Sequence, residues 1–202
     1  MTGVPRSNRP TFPEGRTIAS VSELRDAGIT RPTLSRRVTN GEFVKVDGTW
    51  GLYALPGREA HAEEDVIRVA LQCPGAVICL LTAMRLHGLD APPAVDVWVA
   101  IGTKTRPRSA KHLTIRSIHM GGKALAYGVE PMTIGEITVS ITSPAKTVVD
   151  GFKYRSQIGA RTATQALRSC LDLGKANADQ IWAAAEVVRV RGLIRPLLEA
   201  FA

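Results

Sequence analysis

Cysteine is scarce in this chain. Cys73, Cys79 and Cys170 are odd in number, and none belongs to a Cys-x-x-Cys pair matched by paired histidines. That pattern argues against a disulfide framework or a structural zinc site, and apolar neighbours such as Val77 and Ile78 beside Cys79 predict small buried side chains instead. Long apolar runs are missing as well. None approaches the roughly 20 residues that span a bilayer, and the proline-bearing start lacks a signal-peptide core, so a soluble protein of the bacterial cytoplasm without membrane contact is expected.

The residues of catalysis are also thinly spread. Gly121-Gly122-Lys123 lacks the upstream glycine and following Ser/Thr of a nucleotide-cradling loop. His112 and His119 have no acidic or cysteine neighbours from which to build a triad or metal cluster, and His87, next to Gly88, is expected to interact with the last carbonyls of its own helix. A nuclease would need one acid at a strand end and a second acid close to a lysine. Asp96 supplies the first, but Glu136-Ile137-Thr138 lacks the lysine, and Asp96 and Glu136 are read as a solvent-facing strand residue and a turn residue. No catalytic residue, metal or cofactor is expected.

What the chain has is positive charge, unevenly placed. The formal net charge is +8, yet residues 58 to 101 carry three Lys/Arg against six Asp/Glu. Residues 102 to 123 hold six basic residues and no acid: Lys104, Arg106, Arg108, Lys111, Arg116 and Lys123. This stripe suits nucleic-acid phosphates or an acidic partner, and equally a solubilising loop.

The most telling pattern lies between Ser20 and Leu55. Ser20 and Glu23 form a capping box for a helix whose Val21, Leu24 and Ala27 share a face. Gly28 then supplies the positive φ of a short turn, Thr30 caps a second helix, and Pro32 sits in its first turn, where a missing amide costs no helical bond. At about 100° per residue, Leu34 and Val38 point inward while Thr33, Arg36 and Asn40 point outward, with Arg31 and Arg37 on the flanks. Two β-rich runs follow, Phe43–Val46 and Trp50–Leu55, around Asp47-Gly48, a local hairpin signal. The order reads as a winged helix-turn-helix for double-stranded DNA. Arginine presents paired donors to guanine and asparagine pairs with adenine, so Thr33, Arg36 and Asn40 are assigned to bases and Arg31, Ser35, Arg37, Lys45 and Thr49 to the backbone.

Beyond Pro56-Gly57, helices are expected at Arg58–Gln72, with Val66, Ile67, Ala70 and Leu71 inward, and at Val77–Leu86. Strands follow at Val95–Ile101, Leu113–Ile118 and Gly135–Thr142, then helices at Pro144–Tyr154, Ile158–Leu173, Asn177–Val188 and Leu193–Phe201. The fold class is α+β: an arm (1–15), the winged unit (16–57), and a small mixed sheet covered by helices (58–202).

Three stretches carry a resemblance to a family. They are Leu24–Thr30 with Arg36-Arg37, Asn40-Gly41 and Trp50–Gly57; Leu80–Leu89; and Ile141–Asp150. In that order they resemble AbiEi-type antitoxins. The resemblance implies an antitoxin of a type IV toxin-antitoxin pair that represses its own operon. It also implies a functional partner, a nucleotidyltransferase-like toxin countered without a stable complex. The family's winged domain has a helix before the capping box, where Pro5, Pro10 and Pro13 would interrupt one. A stand-alone transcription regulator with a ligand-sensing or dimerising C-terminal domain is the alternative. Oligomeric state is not fixed by the sequence.

Overall fold

The computed structural model describes residues 11–93, 96–105 and 113–201. Strand β1 (Ile18–Ser20) runs directly into helix α1 (Val21–Asp26). The Ser20 hydroxyl accepts from the Glu23 amide, and the Glu23 carboxylate accepts from the Ser20 amide, so two amides left over at the helix start are satisfied reciprocally. Gly28, at φ +84°, turns the chain into α2 (Arg31–Thr39), capped by Thr30 with Pro32 in its first turn. Then come β2 (Val44–Lys45) and β3 (Leu52–Ala54). β3 lies between β1 and β2, antiparallel to both, with Ile18 opposite Ala54 and Lys45 opposite Tyr53.

The hairpin is shorter than its sequence suggests. The Val46 amide donates to the Leu52 carbonyl at 3.0 Å, so the loop 47–51 closes it rather than a two-residue Asp47-Gly48 turn. Phe43 leaves the ladder because burial against Leu24, Ile29 and Leu34 competes with strand pairing. Ahead of β1, Phe12 meets the Phe43 ring edge-on at 5.2 Å. Among the described residues before the capping box there is a packed arm and a strand, and no helix.

The rest of the chain builds a second sheet with helical cover. In order come α3 (Glu64–Gln72), β4 (Val77–Ile78), α4 (Leu80–Leu86), β5 (Val97–Gly102) and β6 (Ile115–Met120). They are followed by α5 (Gly122–Ala126), β7 (Val129–Ile134), β8 (Ile137–Thr142) and α6 (Pro144–Lys153). α7 (Arg155–Ile158), α8 (Ala160–Asp172), α9 (Ala178–Val188) and α10 (Arg191–Phe201) complete it. The strand order is β6-β5-β4-β8-β7, with β5–β6 and β4–β8 parallel and the other pairs antiparallel.

Several expectations need correcting. Val77–Leu86 is not one helix: Val77 and Ile78 form the central strand, Cys79 is the N-cap, and α4 opens at Leu80, whose φ is +45°. A short continuous apolar run has no period that tells a buried strand from a buried helix. The helix expected from Arg58 begins only at Glu64, because the Arg58 side chain is drawn to Thr17 and Glu64. β7 and α5 were unexpected; β7 tolerates Pro131 because it is an edge strand.

Alternation along β5 divides the core into two layers. Trp98 and Ala100 face a layer built with α4, α6, α8, α9 and α10, and Val97, Val99 and Ile101 face one built with α3. Ile18, Leu52 and Ala54 of the small sheet belong to that second layer, beside Val66 and Ile67. The apolar core is therefore continuous across Pro56-Gly57. No described helix is long and apolar enough to cross a membrane.

Candidate nucleic-acid interface

α2 buries one edge and exposes the rest. Leu34 is buried and Val38 half-buried against Leu24, Ile29 and Phe43, which leaves Arg31, Ser35, Arg36 and Asn40 exposed and Thr33 half-exposed. The Thr33 hydroxyl accepts from Thr30 at 3.0 Å, which orients it while leaving its own proton available. Asn40 is the C-cap residue rather than a residue of the helix proper, and its amide donates to Glu42 at 3.4 Å. Arg36 stands exposed in the last turn.

The residues assigned to the DNA backbone separate into two groups. Arg31, Ser35 and Lys45 line one shallow groove of about 390 Å³ between α2 and the β2–β3 hairpin, with Val38 and Tyr53. Thr39 lines it too, although sequence spacing did not single it out; its hydroxyl donates to the Ser35 carbonyl at 3.1 Å. Arg37 and Thr49 are built into the scaffold instead. The Arg37 side chain is 13% exposed, lies 3.7 Å from Glu42 and covers the Phe43 ring at 5.2 Å. The Thr49 hydroxyl donates to the Val46 carbonyl at 2.6 Å inside the hairpin loop.

The second basic surface is only partly described, since Arg106, Arg108 and Lys111 lie outside the described residues. Lys104 is exposed just after β5. Arg116 is ion-paired with Asp96 and stands over the Trp98 ring at 5.4 Å. Lys123 opens onto a cleft of about 690 Å³ shared with His119, Lys153, Tyr154 and Arg189. Lys153 and Arg189 are far away in sequence, so the cleft was not readable from the stripe.

Glu136 does more than occupy a turn. Its carboxylate accepts from the Thr17 amide at 2.6 Å, the Thr17 hydroxyl at 2.7 Å and the Ile18 amide at 3.0 Å, clamping β1 to the β7–β8 turn. Burial alone would raise its pKa, but these bonds, with Arg58 nearby, hold it below the ordinary carboxylate value. His87 also differs from expectation: its Nε2 meets the Thr142 carbonyl of β8 at 2.7 Å, so the ring ties α4 to the sheet rather than capping its own helix.

Sequence reasoning missed one buried constellation. Lys146 and Asp150, each 1% exposed, form an ion pair on α6, within the Ile141–Asp150 stretch. Burial raises the Asp150 pKa, only partly offset by Lys146, and Asp150 Oδ1 has no hydrogen-bond partner. Burial, then Asp150, push the Cys79 thiol well above its ordinary value.

No family model and no curated protein matches this chain. Among solved structures it is similar to the crystal structure of RV2827C protein from Mycobacterium tuberculosis, at 15% identity and a TM-score of 0.57, over 94% of this chain and 73% of that one. The likeness is one of fold.

Proposed function

We propose that this chain is a DNA-binding antitoxin. Residues 16–57 act as a winged helix-turn-helix that binds operator DNA and represses its own operon. Residues 58–202 counter a nucleotidyltransferase-like toxin without forming a stable complex with it. The observation that carries the reading is the outward edge of α2, where Arg36 and Asn40 are exposed beside a groove that gathers Arg31, Ser35 and Lys45. A base-reading edge flanked by phosphate-holding groups is the arrangement that major-groove recognition requires. The toxin half of the proposal rests on the resemblance to AbiEi-type antitoxins.

The test is binding to the DNA upstream of its own gene. Arg36→Ala should cost about 1–3 kcal/mol on that fragment and relax preference at one base pair. Equal losses on operator and random DNA would move Arg36 to the phosphate contacts. A downstream gene for a nucleotidyltransferase supports the antitoxin role, and a transporter or metabolic gene there favours a stand-alone regulator.

A further inference from the structure

The cleft between Lys123 and Arg189 gathers positive charge that the fold does not use. At about 690 Å³ it falls in the size range of small-molecule sites. Lys123 reaches it from α5, Lys153 from the end of α6 and Arg189 from the residue that closes α9, so three separate elements each bring one cation. All three residues are exposed, no ion pair among the described residues includes them, and no residue lining the cleft is acidic. Glu186 and Asp150, the acids nearest Arg189 and Lys153 along the chain, are held by Arg191 and Lys146.

Arg189 carries the plainest signal. It caps α9 at φ +66° and ψ +46°, the left-handed position that helices usually give to glycine. A long side chain kept there against that preference points to work done by the side chain. Its amide bonds the Ala185 and Glu186 carbonyls of its own helix, whereas no described group bonds its guanidinium. Lys153 stands 6.0 Å from the centre of the half-buried Tyr154 ring, which lines the same cleft. His119 is engaged elsewhere, its Nδ1 lying 3.3 Å from the Gly102 carbonyl.

Charge then names the occupant. Cations brought together without an acid repel one another, and a bound anion relieves that repulsion. One phosphate carries about −1.5 to −2 charge at neutral pH, so two linked phosphates match the three cations, while a lone phosphate or carboxylate leaves them under-balanced. A guanidinium forks onto phosphate oxygens, and lysines hold phosphate as point charges. We propose that the cleft binds a small ligand by its diphosphate group, with Arg189 forked onto one phosphate and Lys123 and Lys153 balancing the pair. The site shares no residue with α2 or the hairpin, so it goes beyond the DNA-binding reading and is tested without an operator.

The full-length chain is titrated calorimetrically, at constant ionic strength, with pyrophosphate, orthophosphate, sulfate and a random-sequence DNA duplex. Saturable binding of pyrophosphate is expected, at least about tenfold tighter than orthophosphate or sulfate, the worth of one further charged hydrogen bond. Arg189→Gly suits the left-handed backbone, so its melting temperature should stay equal or rise while pyrophosphate binding weakens by about tenfold or more. Lys153→Gln, at an exposed position, should weaken binding in the same direction. Arg161→Gln removes the same charge from an exposed site on α8 outside the cleft and should leave the affinity unchanged. The proposal is overturned if pyrophosphate binds no tighter than orthophosphate and sulfate, or if Arg161→Gln weakens it as much as Arg189→Gly. It is equally overturned if the duplex binds, pyrophosphate fails to displace it and Arg189→Gly weakens only the duplex, since the cleft is then a track for a nucleic-acid backbone.

Discussion

At the residue scale, the most informative pair is Lys146 and Asp150. An i,i+4 lysine and aspartate normally form a weak surface pair on a helix. Here both are shut inside α6 among Val148, Val149 and Phe152. The spacing was visible in the sequence, but its burial was not, because α8 and α9 that cover it arrive from later in the chain. Removing one partner strands the other charge in the core. Asp150→Ala should therefore cost about 3–5 kcal/mol, whereas the double variant Lys146→Met with Asp150→Leu should recover much of that loss. Urea denaturation of the three proteins checks this; a double variant no more stable than Asp150→Ala would show that the pair does more than satisfy itself.

At the element scale, legibility followed local chemistry. The Ser20 capping box, the Gly28 turn and the Asn177 cap of α9 formed where sequence placed them, because each depends on neighbours within a few residues. The β4–α4 run failed because only its pairing partners, Val99 of β5 and Ile141 of β8, make Ile78 a strand residue. The approach to α6 gives a prediction of the same kind. Gly128 sits at φ +60°, its carbonyl accepts from the Ser143 amide at 2.7 Å, and an added Cβ would lie 2.9 Å from Lys146 Cβ. Gly174 has nearly the same φ, +61°, but open space around it. Gly174→Ala should cost about 1–2 kcal/mol, the left-handed strain alone. Gly128→Ala should cost clearly more in the same thermal melts, since a side-chain stem of α6 must also move. Equal losses would mean that α6 yields without penalty.

At the scale of the whole molecule, the N-terminal unit is joined to the larger sheet by more than the chain between them. Sequence placed a boundary at Pro56-Gly57, and the chain does turn there. It did not show that Ile18 and Leu52 enter the core of α3, or that Glu136 reaches Thr17 across 119 positions of sequence. Long-range partners leave no local pattern. The junction is also a carboxylate network: Glu136 holds Thr17, Arg58 bonds both Thr17 and Glu64, and Glu23 bonds Ser20 and Arg16. In Glu23, Glu64 and Glu136 burial works to raise the pKa, but the hydrogen bonds and nearby arginines outweigh it and the net shift is downward from 4.5. A carboxylate with a depressed folded-state pKa contributes stability above its unfolded value and loses it as pH falls through the folded value. The contribution of these three carboxylates should thus be level above about pH 4.5 and decline below it as they protonate. Because all three sit at the junction, the decline should begin there. Trp50 on the hairpin loop should change its fluorescence at a higher pH than the far-ultraviolet circular dichroism of the helices. Glu136→Gln keeps the shape but removes the charge, so it should lower stability at neutral pH and flatten the acid slope. If that variant keeps the parent slope, or if fluorescence and dichroism change together, the two parts unfold as one body and the clamp adds nothing separable to the shared core.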